Sequence, residues 1–181
     1  MKPIVKIPNT VLFTQAKTVT SFDKKLDRLI RDMTQTLIGA TNPKGVGLAA
    51  PQIGEPYRVF LTRPTEKSDI RVFINPVITH QSETTTDGVP ERDNKLEGCL
   101  SIPKIWGKVH RAHSLTLTYQ DQTGTSHTET FNGFLATIIQ HETDHTNGIL
   151  FTQRVAEQQG QFYQSAKDAQ GKEILEEIEL V

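Results

Sequence analysis

The fold class predicted for this chain is α+β, with strands packed around one central helix. Three observations predict it: two stretches of helical periodicity, several short β-branched or aromatic runs bounded by turn residues, and a length of 181 residues that suits one core. The chain from 1 to 181 is accordingly expected to form a single domain.

Taken in order, an extended N-terminal segment comes first. Ser21 and Asp23 then precede a run in which Leu26, Leu29, Ile30, Met33, Leu37 and Ile38 recur at helical spacing. Lys24, Lys25, Asp27, Arg28 and Arg31 fall between them, so an amphipathic helix capped near Ser21 and ending before Asn42-Pro43 is expected. Tyr57 to Leu61 and Arg71 to Ile74 read as strands, each followed within a few residues by a proline. Ser82 to Lys95 is polar and acidic, with Gly88 and Pro90, and reads as an exposed loop. Ser114 to Tyr119 alternates apolar with polar, Asp121 to Gly124 supplies turn chemistry, and Ser126 to Phe131 returns as the second arm of a hairpin.

A second helix is predicted from about Gly133 to Asn147, apolar through Phe134, Leu135, Ile138 and Ile139 and stopped by Gly148. The tail holds two β-compatible runs, Gln161 to Ala166 and Ile174 to Leu180, around Asp168 to Gly171. A C-terminal β-hairpin is the preferred reading, with a helix as the alternative because of the glutamates at 173, 176, 177 and 179.

Lys and Arg number 20 against 21 Asp and Glu, a formal net charge of −1. That balance gives no electrostatic reason to expect a nucleic-acid or membrane partner. Cys99 is the one cysteine, so no intrachain disulfide can form, which fits a reducing compartment. Met1 to Pro8 lacks the apolar run of a signal peptide, and nothing elsewhere is long enough to span a bilayer. The expected location is the cytoplasm.

The segment richest in chemistry is His141-Glu142-Thr143-Asp144-His145. Residues four apart share one helix face, so both imidazoles can reach one metal ion while Glu142 stands beside it as a base. Two histidines spaced this way by accident on a solvated face are disfavoured, because Phe134 and Ile138 share their face of an apolar helix. A third ligand is needed. Metalloproteases with a third histidine six residues on are excluded, since Phe151 stands there after Gly148. Glu157 and Glu173 lie downstream in polar surroundings that suggest no site. Cys99, in Glu97-Gly98-Cys99-Leu100-Ser101, can supply a thiolate, although a lone cysteine is often a small buried apolar residue.

Gly45-Val46-Gly47-Leu48-Ala49-Ala50-Pro51-Gln52, then Glu97 to Ser101, then Gln140 to His145 resemble, in this order, the three motifs of the peptide deformylase family. The match runs from the first helix to Phe151. That family removes the formyl group from the N-terminal formylmethionine of new polypeptides. The resemblance implies Cys99, His141 and His145 as ligands of one divalent metal, with water in the fourth position. It implies Fe2+ as the metal in vivo, and Zn2+, Ni2+ or Co2+ as occupants of the same ligands. Glu142 would take a proton from that water and pass it to the leaving amine. The Gln52 amide and the Leu100 N–H would join the metal in stabilising the oxyanion.

An extended N-formylmethionyl peptide would lie alongside Val46, Gly47 and Gly98 as an added strand. Val46, Leu100, Phe134 and Ile138 are candidates for the methionine pocket, and Glu97 either accepts from a ligand imidazole N–H or sits on the surface of a helix or loop. Transient proximity to the ribosome follows from the substrate. The chain departs from the family pattern at Lys44, where an acidic residue often stands, so the arginine matching Arg111 would lack an acid there. Trp106 replaces a positive or smaller residue beside the substrate path, which bears on peptide preference beyond methionine. Two rival readings are a protease for internal peptide bonds and a degenerate binder without turnover. The second would require loss of Glu142, Gln52 or Leu100, and all three are present.

Overall fold

The strands form three antiparallel sheets set around a buried helix. A computed structural model describes residues 1–41, 44–87 and 96–179. Its helices are α1 (Lys24–Gly39), α2 (Gly133–Thr146) and α3 (Phe151–Glu157). The strands are β1 (Gly47–Ala49), β2 (Val59–Thr62), β3 (Arg71–Gln81), β4 (Thr85–Asp87), β5 (Glu97–Cys99) and β6 (Ile102–Gly107). They continue with β7 (His110–Ala112), β8 (Ser114–Gln120), β9 (Ser126–Asn132), β10 (Phe162–Lys167) and β11 (Glu173–Ile178).

One sheet has the order β1-β2-β3-β8-β9, a second β11-β10-β6-β5, and the third pairs β4 with β7. Strands β1 and β5 are therefore edge strands of two different sheets.

Helix α1 is capped by Asp23, whose carboxylate accepts from the N–H groups of Lys25 at 2.8 Å and Leu26 at 3.3 Å. The cap thus lies two residues beyond Ser21. Leu26, Ile30, Met33 and Leu37 are buried, while Ile38 is 52% exposed. The buried stripe is narrower than the apolar pattern, because Ile38 lies one residue, about 100°, past Leu37.

Strand β3 runs through Pro76, well past the predicted Ile74. A register shift between Ile74 and Val77 and a positive φ of 52° at Asn75 let the ladder continue beyond a residue with no N–H. The Asn75 side chain fastens this bulge, accepting from the Val19 N–H and donating to the Val19 carbonyl, each at 2.8 Å. The predicted loop from Ser82 to Lys95 contains β4, paired with β7; residues 82–84 precede that strand, and 88–95 lie outside the described residues. The β8–β9 hairpin buries Leu115, Leu117, Tyr119 and Phe131 on its inner face.

Gly148, at φ 74°, follows α2 as its stop. The tail is a hairpin, with Phe162 opposite Ile178 and Lys167 opposite Glu173. Asp168 Oδ1 closes its turn by accepting from the N–H groups of Gln170 and Lys172, both at 2.9 Å. The glutamates at 173, 176 and 177 face solvent, so helix-compatible composition here is surface chemistry. Leu180, at the predicted end of the tail, lies outside the described residues.

Three apolar clusters surround α2. Leu26, Ile30, Met33, Leu37, Leu48 and Leu61 pack beneath α1. Phe60, Phe73, Leu115, Leu117, Phe131 and Ile139 join α2 to the five-stranded sheet, with the Phe60 and Phe73 rings 4.8 Å apart. Leu12, Ile102, Leu150, Phe151, Val155 and Phe162 form the third cluster, which also contains Cys99. None of the described helices is long and apolar enough to cross a membrane.

Candidate metal centre and substrate cleft

Helix α2 buries polar residues through its second half: Gln140, Glu142, Thr143, Asp144, His145 and Thr146 are all buried. Burying groups this polar costs stability wherever one lacks a partner, so those left unpaired mark a site. Gln140 finds its partners on the backbone, donating to the Ala112 carbonyl at 2.9 Å and accepting from the Ala112 N–H at 3.0 Å.

The histidines reach a different set. One donor atom each from Cys99, His141 and His145 lie within 4.8 Å of one another. His145 Nε2 is 3.2 Å from Cys99 Sγ. Tetrahedral coordination by sulfur and imidazole places neighbouring donors roughly 3.5 Å apart, so this cluster needs little rearrangement to hold a divalent cation. One soft thiol and two borderline nitrogens suit Zn2+, Fe2+, Co2+ or Ni2+ better than hard cations.

Glu97 orients the first histidine. His141 Nδ1–H donates to Glu97 Oε1 at 2.6 Å, which leaves Nε2 to the cluster. The same carboxylate accepts from Arg111 Nη2 at 2.7 Å and from Arg111 Nε at 3.1 Å. Burial alone would raise Glu97, but the Arg111 guanidinium and His141 together hold it well below the usual carboxylate range. Arg111 Nη1 then donates to Asp144 at 2.6 Å, and Asp144 accepts in turn from Arg154 Nη2 at 2.7 Å. The acidic partners of Arg111 are therefore Glu97 and Asp144, and no acid at position 44 is needed. Lys44 pairs with Glu66 on the surface, at 2.8 Å.

Glu142 points elsewhere. Its Oε2 is buried and, among the described residues, has no hydrogen-bond partner; His145 Nδ1 is in the same condition. Burial pushes the Glu142 carboxyl up to about 7. A buried acid with one free oxygen is poised to handle a proton near neutrality.

Gln52 approaches from a 3-10 turn that follows β1. Its Oε1 accepts the Ala49 N–H at 2.8 Å, which turns the Nε2 group toward Cys99 Sγ and Ser101 Oγ, each at 3.4 Å. A cleft between β1 and β5 is lined by Val46, Gly47, Gln52, Gly98, Cys99 and Leu100, and by Phe134, Ile138, His141 and Glu142 from α2. The residues expected from the sequence to act on substrate or metal thus line this cleft except His145, a buried member of the donor cluster, while Glu97, expected as an acceptor for a ligand imidazole, is buried outside its lining. Gly47 has no room for a side chain: a Cβ there would lie 2.8 Å from Ile138 Cγ2 and from the Glu142 carboxyl carbon.

Thr137 and Trp106 also line the cleft. Thr137 was not marked by the sequence, although its place one helical turn before His141 is a signal that could have found it. Asp144 and Arg154 were missed as members of the charged chain behind the metal cluster. Asp144 occupies a variable position of the histidine motif, and Arg154 lies on α3, which was not foreseen. A larger cavity, of about 1290 Å³, lies beside Arg58, Asn75, Gln81 and Asn147 and contains none of the donor residues.

Comparison with known proteins agrees with this geometry. The polypeptide deformylase family matches residues 1–161. The peptide deformylase of Christiangramia forsetii is 37% identical over 169 residues, covering 85% of this chain and 81% of that protein. Peptide deformylase 1 of Bacillus cereus is 39% identical over 154 residues, covering 84% of this chain and 90% of that protein. Among solved structures, the peptide deformylase of Thermotoga maritima superposes with a TM-score of 0.75 at 34% identity, covering 85% of this chain and 97% of that one. The Synechococcus elongatus enzyme, solved in complex with actinonin, superposes with the same TM-score of 0.75 at 34% identity, over 84% of this chain and 78% of that one. A family match spanning nearly the whole fold, coupled to a cysteine–histidine–histidine cluster at its centre, makes this chain a member of the polypeptide deformylase family of enzymes.

Proposed function

We propose that the chain, acting as one catalytic domain, hydrolyses the N-formyl group from the formylmethionine of nascent polypeptides. The observation that carries this reading is the juxtaposition of the donor cluster with the free, buried oxygen of Glu142 in a cleft bounded by two strand edges. Cys99, His141 and His145 would hold the divalent cation, Fe2+ in the cell, with Zn2+, Ni2+ or Co2+ as alternative occupants in a purified sample. When bound, the cation supplies Lewis acidity, which lowers the pKa of water and polarises the formyl oxygen.

The chain's own residues do the rest. Glu142 takes the proton as water adds to the formyl carbon, then returns it to the amine as the carbon–nitrogen bond breaks. Formate is released, and the peptide keeps its N-terminal methionine with a free amino group. The Gln52 amide and the Leu100 N–H donate to the oxygen on which negative charge develops. Val46, Gly47 and Gly98 offer backbone to an extended peptide, and Phe134 and Ile138 enclose the methionine side chain. Such a substrate places the work in the cytoplasm, transiently near ribosomes, with no membrane or direct nucleic-acid contact.

The test is formate release from a formyl-Met peptide by anaerobically prepared, ferrous- or nickel-loaded protein. Glu142→Ala with its metal retained is expected to be slower by about 10²–10⁴-fold. A fully metallated wild type that releases no formate would overturn the proposal.

A further inference from the structure

Lys17 and Arg58 lie side by side along the backbone. The Arg58 N–H donates to the Lys17 carbonyl at 2.9 Å, and the Lys17 N–H to the Pro56 carbonyl at 2.8 Å. Both residues line the cavity of about 1290 Å³. Lys17 is exposed and Arg58 half-buried, and among the described residues neither has a carboxylate partner.

The Arg58 guanidinium is held in place without being neutralised. Nη1–H donates to Asn147 Oδ1 at 2.8 Å, and Nη2–H to the Pro76 carbonyl at 2.6 Å. Pro76 belongs to the β3 bulge, whose Asn75 N–H donates in turn to the Arg58 carbonyl at 2.7 Å. A guanidinium carries five N–H donors, so two neutral acceptors leave the others unspent. The remaining charges around the cavity answer one another. Arg154 donates to Asp144 and Glu157, Arg111 to Asp144 and Glu97, and His110 lies 2.6 Å from Asp87. The uncompensated charge is that of Lys17 and Arg58. Thr143, 5% exposed, also lines this cavity, and its hydroxyl has no hydrogen-bond partner among the described residues. Helix α2 turns Gln140, Thr143 and Asp144 to this cavity and Ile138, His141 and Glu142 to the cleft, so the two sites are separate.

We infer that the cavity is a binding site for a small polar molecule carrying a phosphate group, held between Arg58 and Lys17. A dianion matches two uncompensated cations, and the braced guanidinium presents a planar fork suited to phosphate oxygens. The cavity is larger than one phosphate requires, and Gln15, Thr18 and Gln81 offer neutral polar groups to the rest of the molecule. The inference does not depend on the reaction at the metal centre.

The experiment titrates metal-loaded protein with inorganic phosphate, adenosine monophosphate and acetate, followed by calorimetry. Both phosphate probes are expected to bind saturably, adenosine monophosphate the tighter, and acetate not to bind. Arg58→Ala is expected to weaken binding by roughly 10–100-fold, and Arg58→Lys, which keeps the charge and loses the fork, to recover only part. Because Arg58 also braces β3, a second variant is needed. Lys17→Glu, at an exposed position, gives Arg58 a carboxylate neighbour and is expected to abolish binding with metal content and Tm unchanged. Failure of both phosphate probes to saturate overturns the inference. So does binding that survives in both Arg58→Ala and Lys17→Glu, which would place the anion elsewhere, such as at the metal. Acetate bound as tightly as phosphate would overturn the phosphate class, and phosphate bound as tightly as adenosine monophosphate would overturn the larger ligand.

Discussion

At Glu97 one buried carboxylate answers both an imidazole and a guanidinium, with His141 Nδ1 at 2.6 Å and Arg111 Nη2 at 2.7 Å. Replacing it with glutamine preserves its size and removes its charge, leaving Arg111 with Asp144 alone. The expected outcome for Glu97→Gln is a folded protein whose metal affinity falls by about 10–100-fold, since the histidine loses the acceptor that orients it. Competition with a chelator measures this, and wild-type affinity would show that Glu97 serves packing only. Truncating Arg111 is harsher. Arg111→Ala leaves Glu97 with His141 and Asp144 with Arg154 but removes the buried cation between them, and is expected to destabilise the protein by about 3–5 kcal/mol, read by denaturant unfolding. The sequence pointed to Glu97 as an acceptor because it stands two residues from Cys99. It misled over Arg111, whose acid was sought at position 44. Its partner Asp144 lies within a motif whose histidines and glutamate draw attention away from the residues between them.

Among the secondary-structure elements, those with a long period or a turn signature were legible and the short ones were not. Helix α1 carries four buried apolar residues at helical spacing over 16 residues, enough to declare its period. Helix α3 has only 7 residues, two turns, and its buried Phe151 and Val155 are too few to establish one. Strand β3 seemed to stop where Pro76 approaches, because a proline cannot donate to a ladder. The Asn75 bulge that carries the strand onward depends on Val19, distant in sequence. The start of α1 offers a clean test of local reasoning. The Asp23 carboxylate accepts from two otherwise unpaired N–H groups, so Asp23→Ala is expected to cost about 1 kcal/mol in thermal or denaturant unfolding, with catalysis unaffected.

For the whole molecule, the metal centre is also a point of assembly. Its donors come from β5 and α2, so a bound cation would tie together two parts of the chain more than forty residues apart. A cation that binds only the folded state at about a hundredfold excess over its Kd adds ~2.7 kcal/mol. In a protein of this size, chelation is expected to lower Tm by roughly 5–10 °C, measured by calorimetry with and without chelator. The α+β class and the grouping of three distant motifs were visible in sequence because each motif is locally distinctive. The hydrogen bond from Trp106 Nε1–H to Ser165 Oγ, at 2.7 Å between β6 and β10, was not, since a serine in a hairpin carries no signal until the strands are paired.

The arrangement of β1 and β5 has a consequence for self-association. An open strand edge ordinarily invites another copy to add on and leaves a fresh edge behind for the next, which is how fibres grow. Here the two edges belong to different sheets, are three residues long each, and border the same cleft. A strand entering that cleft meets an edge on either side and leaves no new one exposed. Strand addition at this place would end with the first strand, so the extended-peptide binding proposed for this cleft would not make these two edges a template for aggregation.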